Sequence, residues 1–335
     1  MRYRSLGSTG LWVSAIGFGG IPIQRVDQEE ASQLVNRALN LGINFFDTAR
    51  GYTDSEAKLG LVLQERQTEA IIATKSMART RDEMEADIEK SLQALGTEYI
   101  DLYQVHNVKD IPTLKQVMGP GGAMEALLDA KKSGIIKHIG ITSHIKSLLQ
   151  EALKIKVFET IQFPFNTVES DGVPELLAMA AEHGTGIIIM KPLAGGAIRH
   201  TGLALQYILE HPVSTVIPGM DSLPQVEENA FAGSRSENLT PAERELLHQE
   251  VEEIGPSFCR RCEYCQPCPQ GINVPLVFLL DGYFTRYGLT DWAKERYREM
   301  KVKPEICTEC KECEEKCPYN LPINKMLTDA RTRLE

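Results

Sequence analysis

No cysteine precedes residue 259 in this chain of 335 residues, and no segment is apolar over the length that a membrane helix needs. Positive charge is also scarce, because 36 Lys and Arg residues face 46 Asp and Glu residues, for a formal net charge of -10. This balance excludes nucleic acid and anionic membranes as main partners, since both need clustered basic residues. The first residues lack the apolar run of a signal peptide. We therefore expect a cytoplasmic protein that acts on small molecules, with no nucleic acid and no membrane as partner.

The cysteines that the chain does contain lie in two short clusters near its C-terminal end. Four stand between residues 259 and 268, and four between residues 307 and 317. In a chain without an export signal, such clusters are better explained by metal or cluster ligation than by disulfides. The sequence thus predicts two domains, which we place at residues 1–235 and 236–335.

The first domain alternates short β-branched runs with amphipathic helical stretches, and each run ends in polar or Gly-rich sequence. The eight strand candidates are VSAIGFG, INFFDT, AIIATK, YIDLYQVH, IIKHIGIT, FETIQF, GIIIMK and STVIPG. Helical patterns cover residues 28–41, 55–63, 81–95, 124–133, 145–153, 173–182, 203–210 and 225–231. Eight such units predict an α/β fold, a parallel (β/α)8 TIM barrel. A doubly wound sheet is the rival, but GFGG after the first strand runs into IPIQ and lacks the Gly-rich dinucleotide fingerprint.

Three further segments carry local predictions. Residues 2–13 predict an N-terminal β-hairpin that turns at Gly7 and Gly10 and covers the barrel floor. The capping pattern at Thr240 and Pro241 predicts a surface helix that leads into the cysteine-bearing tail. The segment IPTLKQVMGPGG, residues 111–122, is expected to form a mobile lid over the substrate pocket.

Polar residues follow three successive strand candidates of the barrel. Asp47 ends the second strand, Tyr52 lies in the loop behind it, Lys75 ends the third strand and His106 ends the fourth. Each has an ordinary structural explanation, as a turn cap, a core edge, a solvated charge or a hydrogen-bonded histidine. Active sites of these barrels lie at the carboxyl ends of the strands, so four such residues on one face favour a shared site.

The chemistry of this set is that of a proton donor. A tyrosine has a reference pKa near ~10, and a neighbouring ammonium lowers that pKa by favouring the phenolate. Lys75 can supply the charge, and Asp47 can hold Lys75 in place and protonated. His106 can donate a hydrogen bond to a substrate carbonyl and fix its orientation.

At these residues the chain resembles the aldo-keto reductase family, whose members carry an Asp, a Tyr, a Lys and a His in this order. The matching stretches are DTARGYTDSEAKLG, ATK and YQVH, and the resemblance covers residues 1–235. It implies reduction of a small carbonyl substrate to an alcohol with NADPH or NADH as cofactor. In that reaction hydride passes from the nicotinamide to the carbonyl carbon, while Tyr52 protonates the oxygen.

The resemblance also implies a set of cofactor contacts. Ser143 and Gln162, the latter with Asn166 in a Q-x-x-x-N pattern, stand where the family holds the nicotinamide carboxamide. Leu193, Gly195 and Gly196 of the LAGG loop would hold phosphate through backbone amides. Glu228 and Asn229 stand where the family meets the adenine, and a solvated helix face is the less favoured alternative.

Several positions depart from the family pattern. Met190 stands where many members carry an aromatic ring that stacks on the nicotinamide, and His144 stands where they carry Asn. Gly219 and Gln225 occupy positions at which NADPH-preferring members place Lys and Arg for the 2'-phosphate. The loss of two cations weakens the case for NADPH, since that dianion needs charge-assisted hydrogen bonds. NADH and NADPH both stay open.

The two cysteine runs follow C-x2-C-x2-C-x2-C-P and C-x2-C-x2-C-x3-C-P. The second is the bacterial ferredoxin run for a [4Fe-4S] cluster, in which the fourth cysteine binds the other cluster. This crossing predicts two [4Fe-4S] clusters, one held by Cys259, Cys262, Cys265 and Cys317 and the other by Cys268, Cys307, Cys310 and Cys313. The alternative is a pair of zinc sites, each with four thiolate ligands.

The tail resembles the small α-helical, ferredoxin-like iron-sulfur domain that follows the barrel in one branch of aldo-keto reductases. The connection between the two runs is long enough for an inserted helix, predicted at residues 275–287. The clusters either transfer single electrons or have a structural role, in which they stabilise a tail that lacks a large core.

Two rival functions accompany the carbonyl reductase. In one, the protein passes NAD(P)H electrons through the clusters to a redox partner protein. In the other, the barrel binds a nucleotide without catalysis, as a channel subunit or sensor. The complete set of four catalytic residues favours an enzyme over the latter.

Overall fold

The structure is a computed structural model that describes residues 1–255, 258–260, 264–286 and 290–335. Its chain divides into two compact units. The first comprises Met1–Leu193 and His200–His248, and the second comprises Ala194–Arg199 and Gln249–Glu335. None of the helices in the described ranges combines the length and the apolarity that a bilayer crossing requires.

The strands of the first unit are short. They are β1 (Tyr3–Ser5), β2 (Trp12–Ser14), β3 (Phe18–Gly19), β4 (Phe45–Asp47), β5 (Ile71–Ser76), β6 (Ile100–Val105), β7 (Ile136–Thr142), β8 (Thr160–Pro164), β9 (Gly186–Met190) and β10 (Thr215–Val216). Each of the eight predicted segments overlaps one of the strands β3 to β10, although Val13 and Ser14 of the first segment belong to the hairpin strand β2.

Helices follow the barrel strands and continue into the second unit. They are α1 (Gln28–Asn40), α2 (Ser55–Leu63), α3 (Arg81–Leu95), α4 (Ile111–Met118), α5 (Ala123–Ser133), α6 (Lys146–Lys154), α7 (Val173–Glu182), α8 (Thr201–Leu209), α9 (Leu223–Ser234), α10 (Pro241–Ile254), α11 (Val274–Arg286), α12 (Thr290–Glu299), α13 (Glu312–Glu315) and α14 (Ile323–Leu334). The eight predicted barrel helices and the predicted helix after Thr240 all occur.

Strands β3 to β10 form one sheet in which every strand pairs in parallel with the next strand along the chain. Parallel bridges from Ile16 to Val216 and from Gly19 to Gly219 join the first strand region to the last. The sheet therefore closes on itself, which confirms the (β/α)8 barrel. The sequential strand order excludes the doubly wound rival, because that fold reverses its strand order at a switch point.

The barrel helices pack on the sheet through apolar stripes with helical spacing. In α1 the Asp27 side chain accepts a hydrogen bond from the Glu30 backbone, and Glu30 returns one to the Asp27 backbone in a capping box. The same helix buries Ala31, Leu34 and Val35 against the core. Burying one such Leu or Val contributes about 1.5–3 kcal/mol, so patterning and capping act together to fix the helix.

The N-terminal hairpin closes the barrel at the amino ends of the strands, as predicted. β1 pairs antiparallel with β2, and Leu6 and Val13 pack with barrel-interior residues such as Ile188. Gly7 has a φ of +56°, and a Cβ atom on it would lie 2.3 Å from the backbone nitrogen of Gly186, the first residue of β9. Only glycine allows this approach, because that residue must adopt a left-handed conformation in contact with backbone.

The segment expected as a lid contains a helix that the sequence analysis did not predict. Asp110 caps α4 by accepting a hydrogen bond from the Thr113 backbone at 2.7 Å, and Leu114 and Val117 are buried. Pro112 lies in the first turn, where its missing N–H costs nothing. The Gly-Pro-Gly-Gly sequence, residues 119–122, follows the end of this helix.

The described part of the second unit contains helices and no strands, and its cysteine runs lie largely in the connecting segments. Its core includes Ile272, Val277, Ala293, Tyr297 and Leu327. Two helices, α11 and α12, occupy the connection for which one inserted helix was predicted, and residue 287, the predicted end of that helix, lies outside the described residues. Cys265 and Cys317 belong to this core, so the cysteine runs and the packing of the tail are coupled.

Candidate active site and cluster cavity

A buried ion pair joins the ends of two neighbouring strands. Lys75 on β5 donates hydrogen bonds through Nζ to Asp47 Oδ1 at 2.5 Å and to the backbone oxygen of Thr48 at 2.8 Å. The Lys75 side chain is 1% exposed and the Asp47 side chain 4%. Burial of two charges is tolerable only because each has the other as partner, so this pair fixes both side chains.

Tyr52 and His106 complete the cluster of predicted catalytic residues. The Nζ atom of Lys75 lies over the Tyr52 ring, 5.0 Å from its centroid. The rings of Tyr52 and His106 meet edge to face, with centroids 5.9 Å apart and an interplanar angle of 85°. The structure thus brings Asp47, Tyr52, Lys75 and His106 together at the carboxyl ends of β4, β5 and β6.

The electrostatics of Tyr52 differ from the expectation of a simply lowered pKa. Burial raises the pKa of the Tyr52 phenol, and this effect outweighs the lowering by the Lys75 ammonium, while Asp47 adds a smaller increase. The expectation rested on Lys75 alone, because the burial of Tyr52 depends on the packed site. The phenol therefore keeps its proton above pH 10 in the free protein, and Lys75 limits how far burial raises the pKa.

Burial and mutual attraction act in opposite directions on the two charges of the ion pair. Burial lowers the pKa of Lys75, but Asp47 and Tyr52 outweigh burial, and the net direction is upward. For Asp47, burial raises the pKa and outweighs the lowering by Lys75, Gln162 and Gln104. Lys75 therefore remains an ammonium at neutral pH.

His106 is neutral at physiological pH. Burial, with the positive charges of Lys75 and Arg79, holds the pKa of the imidazole well below 6.5. Among the described residues, no hydrogen-bond partner is present for its buried Nδ1 atom. Arg79 donates to the backbone oxygen of His106 at 2.6 Å, which fixes the strand end that carries the ring. A neutral imidazole in this setting can orient a polar group of a substrate.

Left-handed backbone conformations occur in the loops around this cluster. Thr53, directly after Tyr52, has a φ of 35°, and Asn107, directly after His106, has a φ of 50°. Lys191, which follows β9, has a φ of 52°. Such conformations are unfavourable for residues with side chains, above all for β-branched Thr53, and they concentrate at functional sites.

The residues predicted to hold the nicotinamide carboxamide are buried. Ser143 donates from Oγ to the backbone oxygen of Val108 at 2.6 Å and accepts from the Ile145 backbone at 3.0 Å. Gln162 is 1% exposed, and its Oε1 atom has no hydrogen-bond partner among the described residues. An amide donor of a cofactor would satisfy this oxygen, so Gln162 fits the predicted group.

Asn166 has a role inside the chain. Its side-chain amide donates to Glu169 Oε2 at 3.1 Å and to the backbone oxygen of Lys191 at 3.0 Å. Its Oδ1 atom accepts from the backbones of Val168 and Glu169 at 2.9 and 3.0 Å. With both donors and both acceptor positions used, Asn166 holds the loop after β8.

Met190 and Leu193 are half-buried on the barrel unit. The residues Ala194, Gly195 and Gly196 belong to the second unit and have successive φ angles of 49°, 69° and 87°.

Asn229 is 2% exposed, and its Oδ1 atom has no partner within the described ranges. An exocyclic amine such as that of adenine would satisfy this oxygen. Glu228 is exposed to solvent.

The two positions at which cations were expected for NADPH have structural explanations. A Cβ atom on Gly219 would lie 2.5 Å from Cγ of Pro22, so no side chain fits there. Gln225 accepts a hydrogen bond from the Asp221 backbone at 2.8 Å. Asp221 also pairs with Arg25 at 3.2 Å. The sequence analysis missed Arg25, because only the fold brings residues 25 and 221 to the same rim.

Gln104 is a further residue of the site that the sequence analysis missed. It is fully buried on β6 and donates from Nε2 to Asp47 Oδ2 at 3.3 Å. Its Oε1 atom has no hydrogen-bond partner among the described residues. The signal was a polar residue inside an apolar strand, two positions before His106 and therefore on the same face of the strand.

Arg50 and Glu56 fasten the loop that carries Tyr52. They form an ion pair in which the Glu56 side chain is 2% exposed. Glu56 Oε1 also accepts hydrogen bonds from Thr74 at 2.7 Å and from Ser91 at 2.8 Å. This network joins the Tyr52 loop to β5 and α3, and its sequence signal was an acidic residue on the apolar helix SEAKLG.

One predicted set of cluster ligands surrounds a cavity in the second unit. Cys259, Cys265 and Cys317 line one small cavity, and its apolar walls include Val274 and Phe278. Cys317 comes from the second run, so this cavity brings cysteines of both runs together, and the crossed ligation stays a prediction. Cys262, the fourth predicted ligand, lies outside the described residues. Thiols that share one apolar cavity fit an iron-sulfur cluster, whose ligands are thiolates.

The other predicted set is more accessible. Cys268, Cys307 and Cys313 are half-buried, and Cys310 is exposed. The backbone N–H of Glu309 points at Cys307 Sγ at 3.5 Å, and burial raises the pKa of Cys313 to about 11. No three His, Cys, Asp or Glu side chains within the described ranges converge as ligands of a single metal ion.

Comparison with known proteins defines the family. The aldo/keto reductase family pattern matches residues 15–202. The chain belongs to the aldo/keto reductase family. A second pattern, that of a 4Fe-4S dicluster domain, matches residues 258–322 of this reductase and covers both cysteine runs. The dicluster match favours iron-sulfur clusters over the zinc alternative.

Relatives of this aldo/keto reductase have named activities. L-galactose dehydrogenase of Arabidopsis thaliana is 31% identical over 305 residues, with 76% of this chain and 94% of that protein covered. Methylglyoxal reductase DkgB of Escherichia coli O157:H7 is 29% identical, with 65% of this chain and 87% of that protein covered. The holo form of aldo-keto reductase AKR11C1 from Bacillus halodurans superimposes with a TM-score of 0.65 at 28% identity, covering 76% of this chain and 96% of that one.

Family membership decides between two of the alternatives. An aldo/keto reductase is an NAD(P)H-dependent oxidoreductase, so the protein is an enzyme rather than a nucleotide-binding barrel without catalysis. The fold prediction, with its iron-sulfur tail, is confirmed by the same comparisons.

Proposed function

We propose that the protein reduces the carbonyl group of a small aldehyde or ketone to an alcohol, with NADH or NADPH as hydride donor. The observation that supports this most directly is Lys75, which pairs with Asp47 at 2.5 Å and lies 5.0 Å from the centroid of the Tyr52 ring. A phenol beside a fixed ammonium can give up a proton, since the cation stabilises the phenolate that remains.

Each of the four residues has its own role in this reaction. Tyr52 donates the proton to the carbonyl oxygen, and Lys75 stabilises the phenolate. Asp47 keeps Lys75 charged and in position. His106, neutral at physiological pH, donates a hydrogen bond that orients the carbonyl oxygen. The nicotinamide supplies the hydride when it is bound.

The cofactor contacts belong to the same proposal. Gln162 and Ser143 would hold the carboxamide, and the partnerless Oε1 of Gln162 supports this. Asn229 would accept a hydrogen bond from the adenine amine through its Oδ1 atom. The backbone of the loop with Gly195 and Gly196 would contact phosphate.

The second domain, which we place at residues 236–335, would hold two [4Fe-4S] clusters. The proposed ligands of one are Cys259, Cys262, Cys265 and Cys317, and those of the other are Cys268, Cys307, Cys310 and Cys313. The shared cavity of Cys259, Cys265 and Cys317 supports the first set.

A second candidate function is electron transfer to a redox partner protein. It is favoured by the unequal exposure of the two ligand sets, because Cys265 and Cys317 are buried whereas Cys310 is exposed. An accessible cluster can exchange single electrons with another protein, and a buried one can store them.

The test uses protein purified without oxygen, each nicotinamide, and a panel of small aldehydes and ketones. We expect carbonyl-dependent NAD(P)H oxidation, which Tyr52→Phe abolishes while iron content and cluster absorbance stay unchanged. Tyr99→Phe is the matched control, since Lys137 Nζ lies 4.8 Å from the Tyr99 ring at the opposite end of the barrel. Activity that survives Tyr52→Phe would refute the reductase. Bleaching of the cluster absorbance by NAD(P)H without a carbonyl compound would support electron transfer.

A further inference from the structure

A buried arginine lies at the cavity that the cysteines of one cluster share. Arg260 is 8% exposed and lines the cavity together with Cys259, Cys265 and Cys317. Its guanidinium carbon lies 4.5 Å from the centroid of the Phe258 ring and 4.3 Å from that of the Tyr319 ring. Two aromatic rings thus hold the positive charge in one place.

The position of this charge is tied to the cysteines by the chain itself. Phe258 and Arg260 flank Cys259, and Tyr319 stands two residues after Cys317. Arg260 also donates from Nη1 to the backbone oxygen of Phe258 at 3.2 Å. The same segments therefore carry both the thiols and the clamp around the guanidinium.

A fixed cation has a calculable effect on such a cluster. A [4Fe-4S] cluster with four thiolate ligands is an anion, and one-electron reduction makes it more negative. A positive charge nearby lowers the free energy of the reduced form more than that of the oxidised form. The effect is strong where water is excluded and weak where solvent screens the charge. Net charge and solvent exposure are established determinants of cluster potential.

We propose that Arg260 raises the reduction potential of the cluster at Cys259, Cys265 and Cys317. This inference rests on the cluster ligation given under the proposed function. Near the second set, Lys311 and Lys316 are exposed, so solvent screens their charges.

The test is an anaerobic redox titration of the full-length, cluster-loaded protein, followed by electron paramagnetic resonance and absorbance. Arg260→Gln is expected to lower the potential of one cluster and leave the other unchanged. A tenfold loss in the equilibrium for one-electron reduction corresponds to about 59 mV. Arg260→Lys keeps the charge, so its shift is expected to be clearly smaller than that of Arg260→Gln.

Arg296 offers a matched control in the same unit. Its guanidinium carbon lies 4.2 Å from the Trp292 ring centroid, but Arg296 is exposed and does not line the cavity. Arg296→Gln should shift neither cluster. Equal shifts of both clusters in Arg260→Gln, no shift, or the same shift in Arg260→Gln and Arg260→Lys would overturn the proposal.

Two further results would need separate interpretation: loss of the cluster in Arg260→Gln, and an iron content that does not match two clusters. If Arg260→Gln loses the cluster, the proposal is tested with Tyr319→Leu instead. This variant keeps the charge of Arg260 but removes one of the two aromatic rings that hold it. A lowered potential of the same cluster in Tyr319→Leu then supports the proposal, and an unchanged potential overturns it. Iron and sulfide analysis of the unmutated protein tests the ligation separately, since a protein without two [4Fe-4S] clusters refutes the proposed function and not merely the role of Arg260.

Discussion

The Nζ atom of Lys75 lies 2.5 Å from Asp47 Oδ1, and both side chains are almost completely buried. Removal of one partner leaves the other charge buried without compensation, which costs about 3–5 kcal/mol. Lys75→Met should therefore lower the free energy of unfolding by roughly this amount and also abolish carbonyl reduction.

The double variant Asp47→Leu/Lys75→Met separates these two effects. Because the double variant lacks both charges, no buried charge is left without a partner. The free energy of unfolding should therefore largely recover in denaturant titrations. Carbonyl reduction should not recover, because Tyr52 still lacks its cation. A double variant as unstable as Lys75→Met would show that the pair contributes more than mutual neutralisation.

Gln104 should act as a positioning residue for Asp47. Gln104→Leu removes the 3.3 Å hydrogen bond to Asp47 Oδ2 while it keeps most of the side-chain volume. We expect kcat to fall about tenfold, as the loss of one hydrogen bond to a charged group predicts, with KM nearly unchanged. Because Gln104 lowers the pKa of Asp47, the acidic side of the pH profile should also move upward in the variant.

A control for this substitution is available elsewhere in the barrel unit. Gln206 is equally buried, and it donates to the backbone oxygen of Glu237 at 2.9 Å. Gln206→Leu should lower stability without any movement of the pH profile. A profile that stays fixed in Gln104→Leu would contradict the positioning role.

The dependence of the reaction on pH follows from Tyr52 and His106. The proton donor must carry its proton, and burial raises the pKa of Tyr52 above 10, so the rate should fall only in strongly alkaline solution. The pKa of His106 lies well below 6.5, so the ring is already neutral at pH 6.5. We expect kcat/KM to be flat from about pH 6.5 to pH 10. An acidic limb centred near pH 6.5 would show that His106 titrates in the working range, against its assignment as a neutral hydrogen-bond donor.

The sequence predicts the site well where periodicity decides the geometry. Parallel strands of a barrel end at the same rim, so Asp47, Lys75 and His106 could be assigned to one face without coordinates. Gln104 obeys the same period but was overlooked, because a buried glutamine inside a strand has no motif of its own. The direction of the Tyr52 pKa shift was not predictable, since it depends on how much water the packed loops exclude.

Contacts between distant residues set the other limit. The absence of a side chain at Gly219 follows from its approach to Pro22, and these residues are far apart in the sequence. The ion pair of Arg25 and Asp221 depends on the same closure of the barrel. Helix α4 was not predicted, although the Asp110 cap and Pro112 in the first turn are both signals of a helix start.

The ion pair of Arg25 and Asp221 gives a prediction about cofactor choice. Gly219 and Gln225 supply no cation for a 2'-phosphate, and the carboxylate of Asp221 repels one while it occupies Arg25. Asp221→Asn should free Arg25 and raise the ratio of kcat/KM for NADPH to that for NADH about fivefold, as expected for a solvent-exposed ion pair. Glu227→Gln on α9, which breaks the exposed pair with Arg37 of α1, should leave the ratio unchanged. If the NADPH-to-NADH ratio of kcat/KM is the same in Asp221→Asn and Glu227→Gln, the 2'-phosphate does not lie beside Arg25.

The crossing of the two cysteine runs can be tested by double substitution. Cys317 shares its cavity with Cys259 and Cys265, although Cys310 is closer to it in the sequence. If one cluster depends on both Cys265 and Cys317, the double variant Cys265→Ala/Cys317→Ala should lose about four iron ions, no more than either single variant. The pair Cys310→Ala/Cys317→Ala should instead lose about eight, because it removes a ligand from each cluster. Uncrossed runs predict the reverse, since Cys310 and Cys317 would then bind the same cluster. Iron analysis after anaerobic reconstitution therefore distinguishes the two arrangements.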